Sequence, residues 1–252
     1  MADTLNQPTL NVDFLKPEAH EFDILGSGID GGRNGSGDAP SIELSGGGRL
    51  VASYDNCFVQ SQESYEYLYM LGSRLNGSFR NINAVLITDW SSLFPVNGQG
   101  VPEPFITGIP HSDGSYFSDG SGYSQATVFG TVASSAALNA GQIQINIYGN
   151  QRDLRWSDWF SIYHVTKGWR AYRFWECSDP IDVTETIDDV EYTGQQYTIA
   201  ITPPLREATA AGTLIEFARP RFVAKFPMGF TLPVRAKGFW QSSPSIKLVE
   251  AY

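Results

Sequence analysis

Histidine and carboxylate side chains come together at His111, Asp113 and Asp119, the residue types that hold metals or trade protons. Their setting argues against both roles. The run His111-Ser-Asp-Gly-Ser-Tyr-Phe-Ser-Asp-Gly-Ser-Gly-Tyr123 lacks the rigid spacing that ligands on one strand or helix provide, so residues 97–124 read as a projecting binding loop rather than a catalytic one. Asp30, Asn34 and Asp38 recur every four residues, which misses the alternating ligands of a calcium loop. Gly26 to Asp38 has neither the strand-to-helix glycines of a dinucleotide site nor the Gly-Lys-Ser/Thr of a P-loop, and no cofactor is expected. Arginine offers more. Ile201-Thr-Pro-Pro-Leu-Arg-Glu207 and Gly212-Thr-Leu-Ile-Glu-Phe-Ala-Arg-Pro-Arg221 read as a strand, a proline-stiffened turn and a second strand set together, closing on two arginines that bracket a proline. Guanidinium forks beside carboxylates, with no nucleophile or catalytic acid, suit assembly rather than catalysis.

Charge placement says what those arginines would meet. The chain carries 27 acidic and 17 basic side chains, net −10, a poor surface for nucleic acid, whose binding depends on neutralising phosphates. From Ile201 onward the balance reverses, with Arg206, Arg219, Arg221, Lys225, Arg235, Lys237 and Lys247 against three acids. Between them, Glu176, Asp179, Asp182, Glu185, Asp188, Asp189 and Glu191 form a run without Lys or Arg. That run is either a solvated acidic edge or one that meets a cation from elsewhere, a neighbouring subunit included. No stretch of about 18 apolar residues exists, and Met1-Ala-Asp-Thr-Leu-Asn-Gln7 lacks the basic start and apolar core of a signal peptide. The expectation is a soluble protein made in a cytoplasm, without membrane insertion. Cys57 and Cys177 are too few for a disulfide framework and read as free thiols.

The elements that must position these groups are mostly strands. Residues 1–40 read as an irregular arm in which Leu10, Val12, Phe14 and Leu15 make one short strand before several glycine turns. A β domain follows over 41–252, with a loop insertion at about 97–124. Arg49 to Tyr54 reads as a strand; Ser61 then caps a helix whose Tyr65, Leu68, Leu71 or Gly72 and Leu75 share one face, and Asn76-Gly77 ends it. Ile82 to Thr88 alternates as the next strand. Beyond Ser124 the strands come consecutively: Gln142 to Tyr148, Trp159 to Tyr163, Ala171 to Trp175 and Gln196 to Thr202. The fold class is mainly β, a β-sandwich or barrel-like domain with one helix in its N-terminal half and long Gly-rich loops. Trp156, Trp159, Trp169, Trp175, Tyr163 and Tyr172 invite a sugar-binding or glycosidase reading, since flat rings stack on pyranoses and paired carboxylates cleave glycosides. Aromatics alternating on strands are first of all core and cross-strand pairs.

The succession Leu154-Arg-Trp-Ser-Asp-Trp-Phe-Ser-Ile162, Tyr172-Arg-Phe174, Tyr197-Thr-Ile-Ala-Ile-Thr-Pro-Pro-Leu-Arg-Glu207 and Leu214-Ile-Glu-Phe-Ala-Arg-Pro-Arg-Phe222 resembles the C-terminal half of distal tail and minor tail proteins of long-tailed siphophages. The helix with its Leu75-Asn-Gly77 exit and following strand resembles their N-terminal half. The resemblance implies a structural virion protein of the tail tip, without enzymatic activity. It would form a homo-oligomeric ring, usually a hexamer, joining the tail tube protein to the tail-tip hub protein while genome DNA passes through the lumen. An acidic lumen would repel phosphates and let DNA slide. Arg206, Arg219 and Arg221 would then tie subunit to subunit through Glu207, Glu216 or the acidic segment at Asp182, Glu185, Asp188 and Asp189, unless Arg219 and Arg221 merely cover the edge of a strand pair of their own chain. A carbohydrate-binding β-sandwich for host-surface attachment is the alternative.

Overall fold

The computed structural model describes residues 4–33, 35–37, 41–44, 46–87, 93–187, 189–234 and 243–252. A one-turn helix α1 (Val12–Leu15) and strand β1 (Ala19–Leu25) come first, followed by a small hairpin of β2 (Gly28–Asp30) and β3 (Ser41–Glu43), then β4 (Arg49–Asp55), helix α2 (Gln62–Leu75) and β5 (Ile82–Val85). A second hairpin pairs β6 (Phe105–Ile109) with β7 (Tyr123–Ala126). Seven strands follow: β8 (Phe129–Val132), β9 (Gln142–Tyr148), β10 (Trp159–His164), β11 (Gly168–Cys177), β12 (Ile181–Ile187), β13 (Val190–Thr202) and β14 (Leu214–Glu216). The chain ends with β15 (Arg221–Lys225) and β16 (Ile246–Glu250).

These strands build two bodies, one inserted in the other. The outer body is a five-stranded sheet, ordered β1-β4-β16-β15-β5. Alternation drives it: in β4, Leu50, Ala52 and Tyr54 are buried while Arg49, Val51 and Ser53 face away. Helix α2 covers the apolar side with Leu68, Leu71 and Leu75, and the Ser61 hydroxyl accepts the Ser64 amide at 3.1 Å to cap it. Gly77 then takes a φ of +72°, the left-handed turn that glycine adopts at no steric cost. Within this sheet Arg221 sits opposite Val85, so the chain leaves and re-enters at adjacent points. Everything between is an insertion whose ends already meet, the arrangement that tolerates an inserted domain.

The inserted body is a closed barrel. Its strands run β11-β10-β14-β8-β9-β13, and β13 pairs back onto β11. Closure leaves no free edge within that circuit. Ile145, Ile147, Phe160, Ile162, Tyr172 and Phe174 fill it, each from the inward phase of its strand. Strand β12 extends the sheet beyond the barrel as a hairpin with the first half of β13, which crosses the β9 backbone at Gly194. A Cβ there would lie 2.1 Å from the Ile147 carbonyl oxygen, so only glycine permits the crossing.

Several expectations need correction. The first forty residues are not an irregular arm: β1 pairs with β4 at all seven positions, and Val12–Leu15 is helical. The strand signal lay in Phe22 and Ile24, which pack on the core beyond the residues that suggested a strand. Leu10 and Leu15 are buried by a helical turn that Asn11 caps. Residues 97–124 contain most of the β6–β7 hairpin, not a loop alone. The strands flanking the Pro-Pro turn do not pair with each other, because β14 lies between β10 and β8. Thr88, Asn34 and Asp38 lie outside the described residues.

Candidate functional site

The arginines of the C-terminal segment divide between two places. At the first, the barrel is tied to the sheet around the Glu250 carboxylate, which is buried where β16 ends. Arg170, wholly buried on β11, donates from Nη1 to Glu250 Oε1 at 3.1 Å and to the Ala251 carbonyl. Arg206 donates from Nε to Oε1 at 3.3 Å and from Nη2 to Oε2 at 3.1 Å, and the Leu50 amide reaches Oε2 at 3.2 Å. The rest of the Arg206 fork binds the carbonyls of Gly46, at 2.9 Å, and Gly48. The Tyr252 ring lies 5.0 Å from the guanidinium carbons of both Arg49 and Arg206. Two guanidinium groups thus share one carboxylate away from water; both its oxygens accept hydrogen bonds, while the buried Arg170 Nε has no partner among the described residues.

Beside this joint lies a second buried polar group. His164 Nε2 is 2.7 Å from the Tyr172 hydroxyl, which also accepts the Arg206 amide at 3.2 Å. Burial pushes the imidazole down to about 4, nearby Glu207 pulling the other way and Arg170 adding to the fall. Burial raises the Tyr172 phenol well above its usual range. Burial also pushes the Glu207 carboxyl up, but hydrogen bonds from Thr166 outweigh it and leave the group below the ordinary range. Its partners are the Thr166 hydroxyl at 2.7 Å and the Thr166 and Lys167 amides at 3.1 Å and 3.2 Å. Glu207 therefore braces the β10–β11 turn. Each of these groups is held by hydrogen bonds or ion pairs to other residues of the joint.

The second place is at the surface. Arg221 lies over Trp169, its guanidinium carbon 4.3 Å from the ring centroid, with Nη2 3.7 Å from Glu216 Oε2. Burial lowers the Arg221 pKa and Glu216 opposes that, leaving the guanidinium charged at any ordinary pH. Glu216 Oε1 accepts the Arg219 amide at 3.0 Å, while the exposed Arg219 side chain lies over Phe105, 5.6 Å from its centroid. Next to the pair opens a trough of about 290 Å³ lined by Phe129, Trp169, Ile187, Tyr192 and Leu214, with Glu216 at its edge.

The remaining sequence-derived residues fall elsewhere. Glu185 turns inward from β12 and accepts from Thr131 and Asn146, each at 3.1 Å, and from the Tyr148 hydroxyl, the bond that does most to hold its carboxyl below the ordinary range. Asp182 and Asp189 point outward and are exposed; Asp188, like Arg235 and Lys237, lies outside the described residues. Asp113 and Asp119 each accept from the serine two residues on, and these bonds lower both carboxyls. They do not converge on one point with His111, whose ring packs with Phe117 and Tyr123. Among the described residues no three His, Cys, Asp or Glu are grouped to hold a metal. Cys57 and Cys177 are free, burial pushing the thiols up to about 12 and about 11.

Sequence reasoning missed Arg170, Glu250, His164 and Tyr172 as one cluster. A signal existed. Arg170 shares the inward phase of its strand with Tyr172 and Phe174, and Glu250 that of Ile246 and Leu248. A charge on the apolar phase of a strand calls for a buried partner. No family model matches the chain, and no curated protein matches it.

Proposed function

We propose that this chain is a non-enzymatic structural protein of a bacteriophage tail tip. It closes with copies of itself into a ring, most simply a hexamer, between the tail tube protein and the tail-tip hub protein. The observation that carries the reading is one surface of the barrel. There an open apolar trough, with Leu214 61 % exposed, adjoins a hairpin that turns Asp182, Asp189 and Glu191 outward. Strand β12 takes no second neighbour among the described strands. Exposed apolar surface with a charged rim marks a protein contact, and a cyclic head-to-tail contact needs such a patch to meet an unlike one. The net charge of −10 suits a lumen through which DNA slides without being held.

Light scattering on the purified protein across salt concentrations tests this. A closed oligomer that weakens with salt is expected; a strict monomer at high concentration, together with absence of the chain from purified virions by mass spectrometry, would sink it. A carbohydrate-binding module is a second reading, favoured by the exposed Trp156 and Trp175. Trp175 stands out because the β11–β13 register shifts between Phe174 and Glu176. That reading requires glycan-array binding that disappears on replacing one of these rings.

A further inference from the structure

The hairpin of β12 with the first half of β13 lies against the barrel wall without joining its core. Among the described residues, none from Ile181 to Gln196 is fully buried, and none belongs to the apolar cluster that fills the barrel. What the hairpin covers is polar. Thr131, Asn146 and Tyr148 stand on the outward phase of β8 and β9, and all three are buried. Their donors converge on a single atom, Glu185 Oε2: the Thr131 hydroxyl and the Asn146 amide, each at 3.1 Å, and the Tyr148 hydroxyl. Asn146 Oδ1 in turn accepts from Gln196 at 3.0 Å, near the base of the hairpin. Tyr192 adds ring contacts, edge-on to Phe129 with centroids 5.1 Å apart and 5.9 Å from Tyr148.

A surface held in this way separates at low cost. Apolar side chains pulled apart expose area that water disfavours, whereas hydroxyl, amide and carboxylate groups exchange one hydrogen-bond partner for another when water enters. The barrel shows the opposite kind of contact on its other side, where Trp159 and Ala171 join the apolar core of the five-stranded sheet. The base of the hairpin is fixed. The Ser178 amide donates to the Thr198 carbonyl at 2.9 Å, the Thr198 amide donates to the Ser178 hydroxyl at 3.0 Å, and Gly194 lies against β9. Beyond that base, among the described residues, the hydrogen bonds from hairpin to barrel are those of Glu185. Segments with few buried apolar contacts are where proteins open locally. The hairpin's Ile187 and Tyr192 also form one wall of the trough that Phe129, Trp169 and Leu214 line from the barrel, so its position sets the width of that trough.

We infer that the β12–β13 hairpin is a flap latched by Glu185, which lifts from its base to widen the trough and open the Thr131, Asn146 and Tyr148 surface beneath it. A monomer and a ring would share this flap. Thr131→Cys, combined with Cys177→Ser, places a thiol under it, and the remaining thiol, Cys57, is buried in the other body. Adding Glu185→Ala is expected to speed reaction with a soluble maleimide about 10-fold or more, with the thermal midpoint little changed. Tyr148→Phe loosens the latch from the barrel side and leaves the hairpin sequence intact. In hydrogen exchange read by mass spectrometry it should speed the amides shared by β12 and β13, because a lifted two-stranded ribbon is marginal alone, while β10 and the first half of β11 keep their protection. Equal labelling with and without Glu185 overturns the inference. So does labelling that rises only together with a fall in thermal midpoint and lost protection across β10 and β11, since the hairpin is then an integral part of the barrel.

Discussion

Arg206 and Arg221 stand fifteen positions apart and carry the same group, yet one is a structural staple and the other a surface element. Arg206 completes a buried cluster in which Glu250 takes donors from two guanidinium groups and a backbone amide. Arg221 lies against Trp169 with one long ionic contact to Glu216 at 3.7 Å. The difference is set by what each charge would meet if its partner left. Around Glu250 no water replaces a lost bond, so the cost is that of a stranded buried charge. At Arg221 solvent and the ring remain, and the cost is small. The same residue type in one basic segment therefore reports on folding in one place and is free to report on assembly in the other.

The largest break in this contrast is at Glu250. Replacing it with Ala leaves Arg170, wholly buried, facing no anion, and is expected to lower unfolding free energy by about 3–5 kcal/mol in a denaturant titration. A loss under about 1 kcal/mol would show that the joint is hydrated and the comparison misplaced. Next comes pH. His164 is held neutral with a folded pKa of about 4 against about 6.5 when unfolded, so the unfolded chain binds the extra proton first. Its contribution is intact above about 6.5 and is lost as pH falls towards 4, on the order of 3 kcal/mol in all. His164→Gln should flatten that part of the stability profile. An unchanged slope between those pH values would place the imidazole in contact with water.

Legibility followed periodicity. The span Gln142–Tyr148 is a strand with the bounds its alternation suggested, although Asn146 and Tyr148 on its polar phase are buried against Glu185, and α2 matched from its Ser61 cap to its glycine exit, where local spacing and burial agreed. Strand β1 was hidden. His20, Glu21 and Asp23 interrupt its apolar residues, and pairing with β4, remote from local pattern, makes it a strand. Carboxylates were legible as charges but not as partners. Glu185 looked like its acidic neighbours until the parity of β12 turned it onto Tyr148, Asn146 and Thr131. Glu207 likewise became a turn brace through amides of Thr166 and Lys167, forty residues away in sequence. Long-range closure of a barrel leaves little trace in any local window.

On the surface side the expected effects shrink and change kind. Arg221→Glu puts a like charge beside Glu216 and removes the cation from the Trp169 face, for a folding loss of about 1 kcal/mol. Assembly should suffer more than folding, because the reversed charge sits at the edge of the trough. Equal loss of both, in light scattering and thermal melts on the same samples, would move Arg221 to the structural side with Arg206. Arg219→Ala is the mildest. Its side chain is exposed over Phe105, while its amide, which the substitution keeps, holds Glu216. Folding should change by less than about 0.5 kcal/mol, and any effect should show as altered salt dependence of association. If Arg219→Ala instead melts the protein, the guanidinium is bracing the β6–β7 hairpin against the barrel, and the division between staple and surface falls between Arg219 and its neighbours rather than between Arg206 and Arg221.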